Sequence, residues 1–366
     1  MAKETVDLIP QDREIETGWE NPPLLADLKL DYQEALSHHN AHVNQVNTWL
    51  DNLHITGAAK PTFRKGRSQV VPRLIRKQAE WRYAALSEAF LAHENIFTTE
   101  PATFEDKDAA YQNGLILNSQ FNNQLDKVSF IDEYVRASVD EGSVIVRVGW
   151  EFCEEEVQVP NLIPTPITDP QKAGMIEQAS AALMQDPNVA QQIDQELLDT
   201  IQLSIEYGRM MEWAVDPDQP TKLEPQVVRN QPTLEVCDYA ATMVDPTCKG
   251  DMDKANFVIW EFETSKGQLE KDGRYKNLEY INIENNSISN TESNPHSEET
   301  GAFNFTDEPR KKVKAYEYWG YWDIEGTGIP VAFVATWIGD TLIRLERSPF
   351  PDNKLPFVLI PVSYTH

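Results

Sequence analysis

Basic residues are scarce in this chain: 32 Lys and Arg stand against 59 Asp and Glu in 366 residues, a formal net charge of −27. That deficit argues against a protein that grips nucleic acid over its whole surface, because such a grip comes from Lys and Arg neutralising phosphates. Cysteine is also sparse. Cys153, Cys237 and Cys248 are the only three, and none forms a C-x-x-C pair. This argues against a disulfide framework or a zinc site and suits a reducing compartment. No run approaches 18 consecutive apolar residues, so no membrane-spanning helix is expected. The opening MAKETVDLIPQDREIE is polar and acidic, without the apolar segment of a signal peptide. The patterns G-x-x-x-x-G-K-[ST], G-x-S-x-G and H-E-x-x-H are missing, which removes three common routes to phosphate, acyl and metal chemistry. Gly326-Thr327-Gly328 lacks the third glycine of a dinucleotide-binding turn and reads as a link between strands.

What the chain does have is an apolar share of 40% and an aromatic share of 10%, enough for a buried core and for two or three domains. It also has one dense basic cluster. Between Arg64 and Arg82 lie seven of the 32 bases and one acid, Glu80. The cluster divides into a loop, Phe63 to Ser68, and a helix expected from Arg73 to about Glu94. Pro72 suits the first turn of that helix. Ile75, Ala79, Leu86 and Phe90 fall on one face, with Leu74, Ala85 and Ala89 beside them, and Arg73, Arg76 and Lys77 point away. Arg82 falls inside the apolar face, which predicts a carboxylate partner.

The remaining periodicities give an α+β chain. Residues 1–23 read as a flexible segment. A helix is expected over 24–56, from the spacing of Leu28, Tyr32, Leu36, Val43, Val46 and Leu50, stopping at Gly57. Another is expected over 105–125, and a third from Ser129 as N-cap to Gly142. In Ser143–Phe152, Val144, Val146, Val148 and Trp150 alternate with Arg147 and Glu151, as in a half-buried strand. A Pro-rich crossing and an inserted helical hairpin occupy 161–226. Asp169-Pro170 and Asp186-Pro187 begin its two helices, and Val189, Ile193, Leu197, Ile201 and Ile205 form a stripe on the second. From 227 to 366 the texture is β-rich, with strands at Thr233–Tyr239, Asn256–Phe262, Val313–Asp323, Val331–Ile338, Thr341–Glu346 and Leu355–Val362. Residues 282–309, rich in Asn, Ser, Glu and Thr, read as a mobile loop. The last strand runs out at Tyr364-Thr365-His366 without a closing element, which predicts truncation at that end.

Four constellations invite chemistry. His38 and His42 have metal-ligand spacing on a helix face, but no acid completes a site, and a solvated face is the expected reading. Glu154–Glu156, with Asp140 and Glu141, could hold a divalent cation as in metal nucleases. A solvated loop is the expected reading there too. Tyr316, Tyr318, Trp319, Tyr321 and Trp322 could stack on bases, although alternation in a strand accounts for them. Arg310, Lys311, Lys312 and Lys314 precede them as a weak nucleic-acid candidate. No catalytic residue, metal or cofactor is expected.

The order of segments resembles a known family. SQVVPRLIRKQAEWRYAALSEAFL (Ser68 to Leu91), FIDEYVRASVDEGSVIVRVGWEF and EVCDYAATMVDPTCKGDMDKANFVIWEFETSKGQLEKDGRYKNL are similar to segments of the portal proteins of tailed double-stranded DNA bacteriophages, the short-tailed kind in particular. The resemblance spans most of 60–160 and 230–362. It implies a portal-like α+β fold, with a helical N-terminal part and a mixed wing region of antiparallel strands at 24–160 and 227–366. It implies a non-enzymatic ring, usually of twelve copies, at the portal vertex of a virion capsid assembled in the host cytoplasm. Double-stranded DNA would pass through the ring in packaging and ejection. The implied partners are capsid and scaffolding proteins, the terminase large subunit and tail or adaptor proteins; no membrane is involved. The hairpin at 170–212 reads as an insertion, and a pair of long stem helices does not occur before His366. Within a ring, Arg64, Lys65, Arg67, Arg73, Arg76, Lys77 and Arg82 become candidates for contact with an acidic neighbouring subunit. A head-tail adaptor or scaffold-type binding protein is the alternative, and a metal-dependent nuclease the third.

Overall fold

The computed structural model describes residues 15–63, 65–66, 68–185, 194–287 and 304–361. These divide into two compact units, one made of residues up to Trp150 and from Pro232 onward, the other of Glu151–Gln231. The fold is α+β: helices accompany sheets whose registered pairings are antiparallel.

The first unit is built on a five-stranded sheet in the order β5-β6-β7-β8-β9, from Thr242–Val244 (β5), Phe257–Ser265 (β6), Lys312–Trp322 (β7), Val331–Ile338 (β8) and Thr341–Arg347 (β9). Alternation along β7 sends Tyr318 to one face and Trp319 to the other, and both are buried. Tyr318 stacks on Phe333 at 5.4 Å in one cluster, while Trp319 joins Val258, Val334 and Phe357 in another. Tyr318 and Trp319 are therefore core, and Tyr316, Tyr321 and Trp322 are half-buried. Gly320 is small for a reason: a Cβ there would lie 3.0 Å from the Asn256 carbonyl and 2.5 Å from the Tyr318 ring. The turn at Gly326 to Gly328 is held by Asp323, whose carboxylate accepts the N–H groups of Thr327 and Gly328.

Helix α1, Leu25–His54, is 30 residues long, about 45 Å at 1.5 Å per residue. Its first half packs Leu28 and Ala35 against the sheet. Its second half packs Val46, Leu50 and Leu53 against α2 (Leu74–Leu91) and α4 (Lys127–Asp140). The helix ends at Ile55, in the left-handed conformation at φ 58, two residues before the glycine expected to stop it. Helix α3, Lys107–Ser119, continues into a π-helical turn, Gln120–Gln124. Its buried Asn118 accepts from the N–H groups of Ile96 and Phe97 and donates to the Phe97 carbonyl, fastening the preceding segment. Helix α4 is capped by Asp126, not Ser129: the Asp126 carboxylate accepts from both the N–H and the hydroxyl of Ser129. Asp126 is the stronger cap because it supplies a charged acceptor at the positive end of the helix.

Strand β1, Ser143–Pro160, lies between β10 (Phe357–Pro361) and β4 (Thr221–Cys237). The expected strand ended at Phe152, so Glu154–Glu156 belong to the strand and not to a loop. The pairing with β10 covers only Ser143 to Arg147. Val144 and Val146 are buried with Ala137 of α4, whereas Val148 and Trp150, on the same face, are exposed. Burial along the face thus stops short of Val148, because α4 and β10 cover only the root of the strand.

The second unit contains the far parts of β1 and β4 and a hairpin of β2 (Leu162–Pro166) with β3 (Met211–Val215). It also holds α5 (Pro170–Gln185) and α6 (Gln195–Tyr207). Asp169 caps α5 by accepting the Gln171 N–H at 2.9 Å. Asp186-Pro187, Val189 and Ile193 lie outside the described residues. On α6, Ile201 and Leu203 are buried and Ile205 is exposed. The expected stripe therefore fails at its last member, and Leu203 is buried in addition. Most of the expected loop at 282–309 also lies outside the described residues.

Candidate functional site

The basic cluster centres on α2. Arg64 and Arg67 lie outside the described residues. Lys65 is exposed in a turn beside Gly66, whose φ of +84 suits glycine. Arg73 is the N-cap residue of α2, so Pro72 precedes the helix and does not occupy its first turn. The tertiary structure also reorients the helix. Its packed face carries Ala79, Tyr83 and Phe90, rotated toward Tyr83 from the face expected through Ile75 and Leu86, both of which are exposed. Tyr83 can be buried there because its hydroxyl donates to Asp140 at 2.5 Å and the Arg136 guanidinium lies over its ring at 5.0 Å.

Opposite Tyr83, a second apolar stripe faces outward. Leu74, Trp81 and Ala85 recur at i, i+7 and i+11, which one helix face requires, with the polar Gln78 between them at i+4. Leu74 and Trp81 are 67% and 68% exposed. Arg73 and Lys77 flank this stripe on one side, and Arg82 and Ile75 on the other. Arg82 is exposed and meets no carboxylate among the described residues; the partner expected for it is absent because its face is not buried. Arg76 differs from its neighbours, since it pairs with Glu80 at 3.4 Å. The Lys77 ammonium lies 5.7 Å from the centre of the Trp81 ring. Arg73, Lys77 and Arg82 are thus cations around exposed apolar surface.

The second basic stretch is organised differently. Arg310 pairs with Asp307 at 2.7 Å, Lys312 with Glu263 at 2.9 Å and Lys314 with Glu261 at 2.6 Å. These charges are locally balanced, the first just before β7 and the other two across β6 and β7, leaving Lys311 as the one cation of the four without a carboxylate among the described residues. The histidines are partly packed: the His39 imidazole contacts the Ala240 carbonyl at 3.1 Å, and burial lowers the pKa of both His39 and His42. Among the described residues no group of three or more His, Cys, Asp and Glu is placed to hold a metal ion.

The acids raised as cation ligands are also engaged otherwise. Asp140 and Glu141 end α4, and Asp140 accepts the Tyr83 hydroxyl. Burial first, then the Asp238 and Asp140 charges, push Glu141 from its ordinary 4.5 up to about 8. Between these pH values the unfolded chain releases the Glu141 proton and the folded chain keeps it. Stability from this group therefore falls as pH rises through the window, by about 1.4 kcal/mol per unit of separation at most. Glu141→Gln is expected to flatten the profile, gaining on the parent protein between pH 5 and pH 8. Urea unfolding at both values checks this, and an equal difference at the two would contradict it.

Strand β1 carries the opposite charge. Within the second unit, Glu151 pairs with Arg229 of β4 at 2.8 Å on one face of the ribbon. Phe152 and Val228, 57% and 51% exposed, emerge on the other. Alternation continues that face through Glu154 and Glu156, both exposed. Residues 151–231 hold four Lys and Arg against fifteen Asp and Glu.

Sequence reasoning missed the exposed stripe of Leu74 and Trp81 and the outward Phe152. The signal was present as two apolar arcs on one helix, but periodicity does not say which arc is covered. The family model described as phage SU10 portal protein matches residues 24–365 of this chain.

Proposed function

The chain belongs to the phage SU10 portal protein family, and from that premise we propose that it is a structural subunit of the ring-shaped channel at the capsid vertex. Double-stranded DNA passes through this ring when it is packaged and when it is ejected. Terminase docks on the ring during packaging, and tail or adaptor proteins dock on it afterwards. The observation that carries the reading is the family match along almost the whole chain. The single-chain surface supports it: α2 leaves Leu74 and Trp81 uncovered beside three cations, and patches of this kind mark contact sites on soluble proteins. A neighbouring copy covers that face in the ring, and Arg73, Lys77 and Arg82 meet acidic side chains there.

Electron microscopy of the purified full-length gene product tests the first part, with rings around a central hole as the expected outcome. Particles that remain monomeric at high concentration would refute it. Reversing Arg73, Lys77 and Arg82 to Glu tests the second part. The triple variant is expected to keep its circular dichroism and urea midpoint while ring formation at physiological salt drops at least about tenfold, the size of effect that mismatched interfacial charges produce. Rings formed at the parental level would remove α2 from the interface.

A further inference from the structure

A closed ring needs a head-to-tail interface, in which two different patches of the same chain meet. The described surface offers two such patches of opposite charge. One is the α2 stripe of Leu74 and Trp81 with Arg73, Lys77 and Arg82. The other is the outward face of the β1–β4 ribbon, with Phe152 and Val228 beside Glu154 and Glu156. We propose that the α2 stripe of one copy docks on this ribbon face of the next copy. The proposal rests on the reading of the chain as a ring subunit and names the surface that α2 meets.

Three observations favour this occupant. The first is charge: the most basic stretch of the chain faces the segment in which acids outnumber bases fifteen to four, so the contact lowers the repulsion between copies that each carry −27. The second is apolar complementarity. Trp81 and Leu74 on one side and Phe152 and Val228 on the other are large side chains left 51–68% exposed, and such side chains form the anchors of interfaces when cations and anions surround them. The third is the ribbon itself. Beyond Arg147 the β1 strand has lost β10 as a neighbour, and a ribbon of two strands is only marginally stable unless its apolar face is packed.

The alternation of β1 makes the proposal specific to one face. Glu154 and Glu156 lie on the docking face, and Glu155 points to the opposite one. The test uses the full-length product and reads ring formation by particle mass at physiological salt, with circular dichroism as the check on folding. Glu154→Lys with Glu156→Lys is expected to reduce ring formation at least about tenfold, like the α2 reversal. Combining both sets in one chain is expected to restore rings to within about threefold of the parent, because the pairing is rebuilt with its signs exchanged. Glu155→Lys alone is expected to leave rings unchanged.

If the combined variant stays unassembled while the α2 reversal alone abolishes rings, the ribbon is not the partner and the α2 interface stands. Rings formed normally by the Glu154 and Glu156 variant would likewise exclude the ribbon and leave α2 in the interface. A loss from Glu155→Lys equal to that from its neighbours would assign the effect to net charge and overturn the docking face. Intact rings in the α2 reversal would overturn the α2 interface itself.

Discussion

Glu317→Ala is expected to destabilise the protein by about 3–5 kcal/mol, the range for stripping one partner from a buried ion pair. Glu317 is 2% exposed. Its Oε1 accepts from Arg147 at 2.9 Å and from the Trp319 indole N–H at 2.6 Å. Its Oε2 faces Arg344 at 3.4 Å, and Arg344 is itself buried. The register explains the arrangement: Glu317 on β7 lies opposite Thr336 on β8, which lies opposite Arg344 on β9, so one row across three strands is polar inside the core. Removing the carboxylate leaves Arg344 with Glu346 alone. It also takes one of two carboxylates from Arg147, which keeps Glu235 at 3.5 Å and whose guanidinium rests over the Trp260 ring at 4.2 Å. Arg147 belongs to β1, so the same change loosens the root of the strand that continues into the ribbon. Glu317→Gln keeps an acceptor for Trp319 and should lose less. A fall of under about 1 kcal/mol in urea unfolding for the Ala variant would show that the row is held by packing alone.

Phe333→Ala should cost about as much, roughly 3–5 kcal/mol, through a different cause. Its ring is fully buried between Tyr318 and the underside of α1, in the cluster that contains Leu28, Ala35, Ile259 and Trp337. Deleting it removes the transfer energy of the ring and leaves a void that neighbours in a five-stranded sheet cannot fill without shifting register. The instructive comparison is Trp81→Ala. Trp81 is the larger side chain but stands 68% exposed, so its removal should change the unfolding free energy by no more than about 0.5 kcal/mol. Its effect should appear in ring formation instead. Equal losses of stability in the two variants would mean that α2 is packed on both faces within one chain.

Much of the architecture is legible without coordinates. Period-two alternation in 312–347 gives β7, β8 and β9 nearly to the residue, and it assigns Tyr318 and Trp319 to opposite faces. The spacing of Leu28, Val46 and Leu50 gives α1, and Asp169-Pro170 gives the start of α5. The candidate site was legible only in part. The cations of α2 stand out in a chain this acidic, yet their surroundings were misjudged at Arg82, and the Glu154–Glu156 run looked like a loop.

Local pattern settles what an element is and which residues share its faces, because backbone geometry repeats every 3.6 or 2 residues whatever lies nearby. Which face is covered depends on non-local contacts. Tyr83 turned inward where Asp140, 57 residues away, accepts the hydrogen bond that its hydroxyl donates. Val148 and Trp150 were left outside because the α4 side chains Phe130, Tyr134 and Ala137 pack on Val144 and Val146 and not on the next two residues of that face. Both surfaces invoked for the ring arise from such contacts, since burial is a property of the neighbours that chain topology brings together and not of the segment being buried.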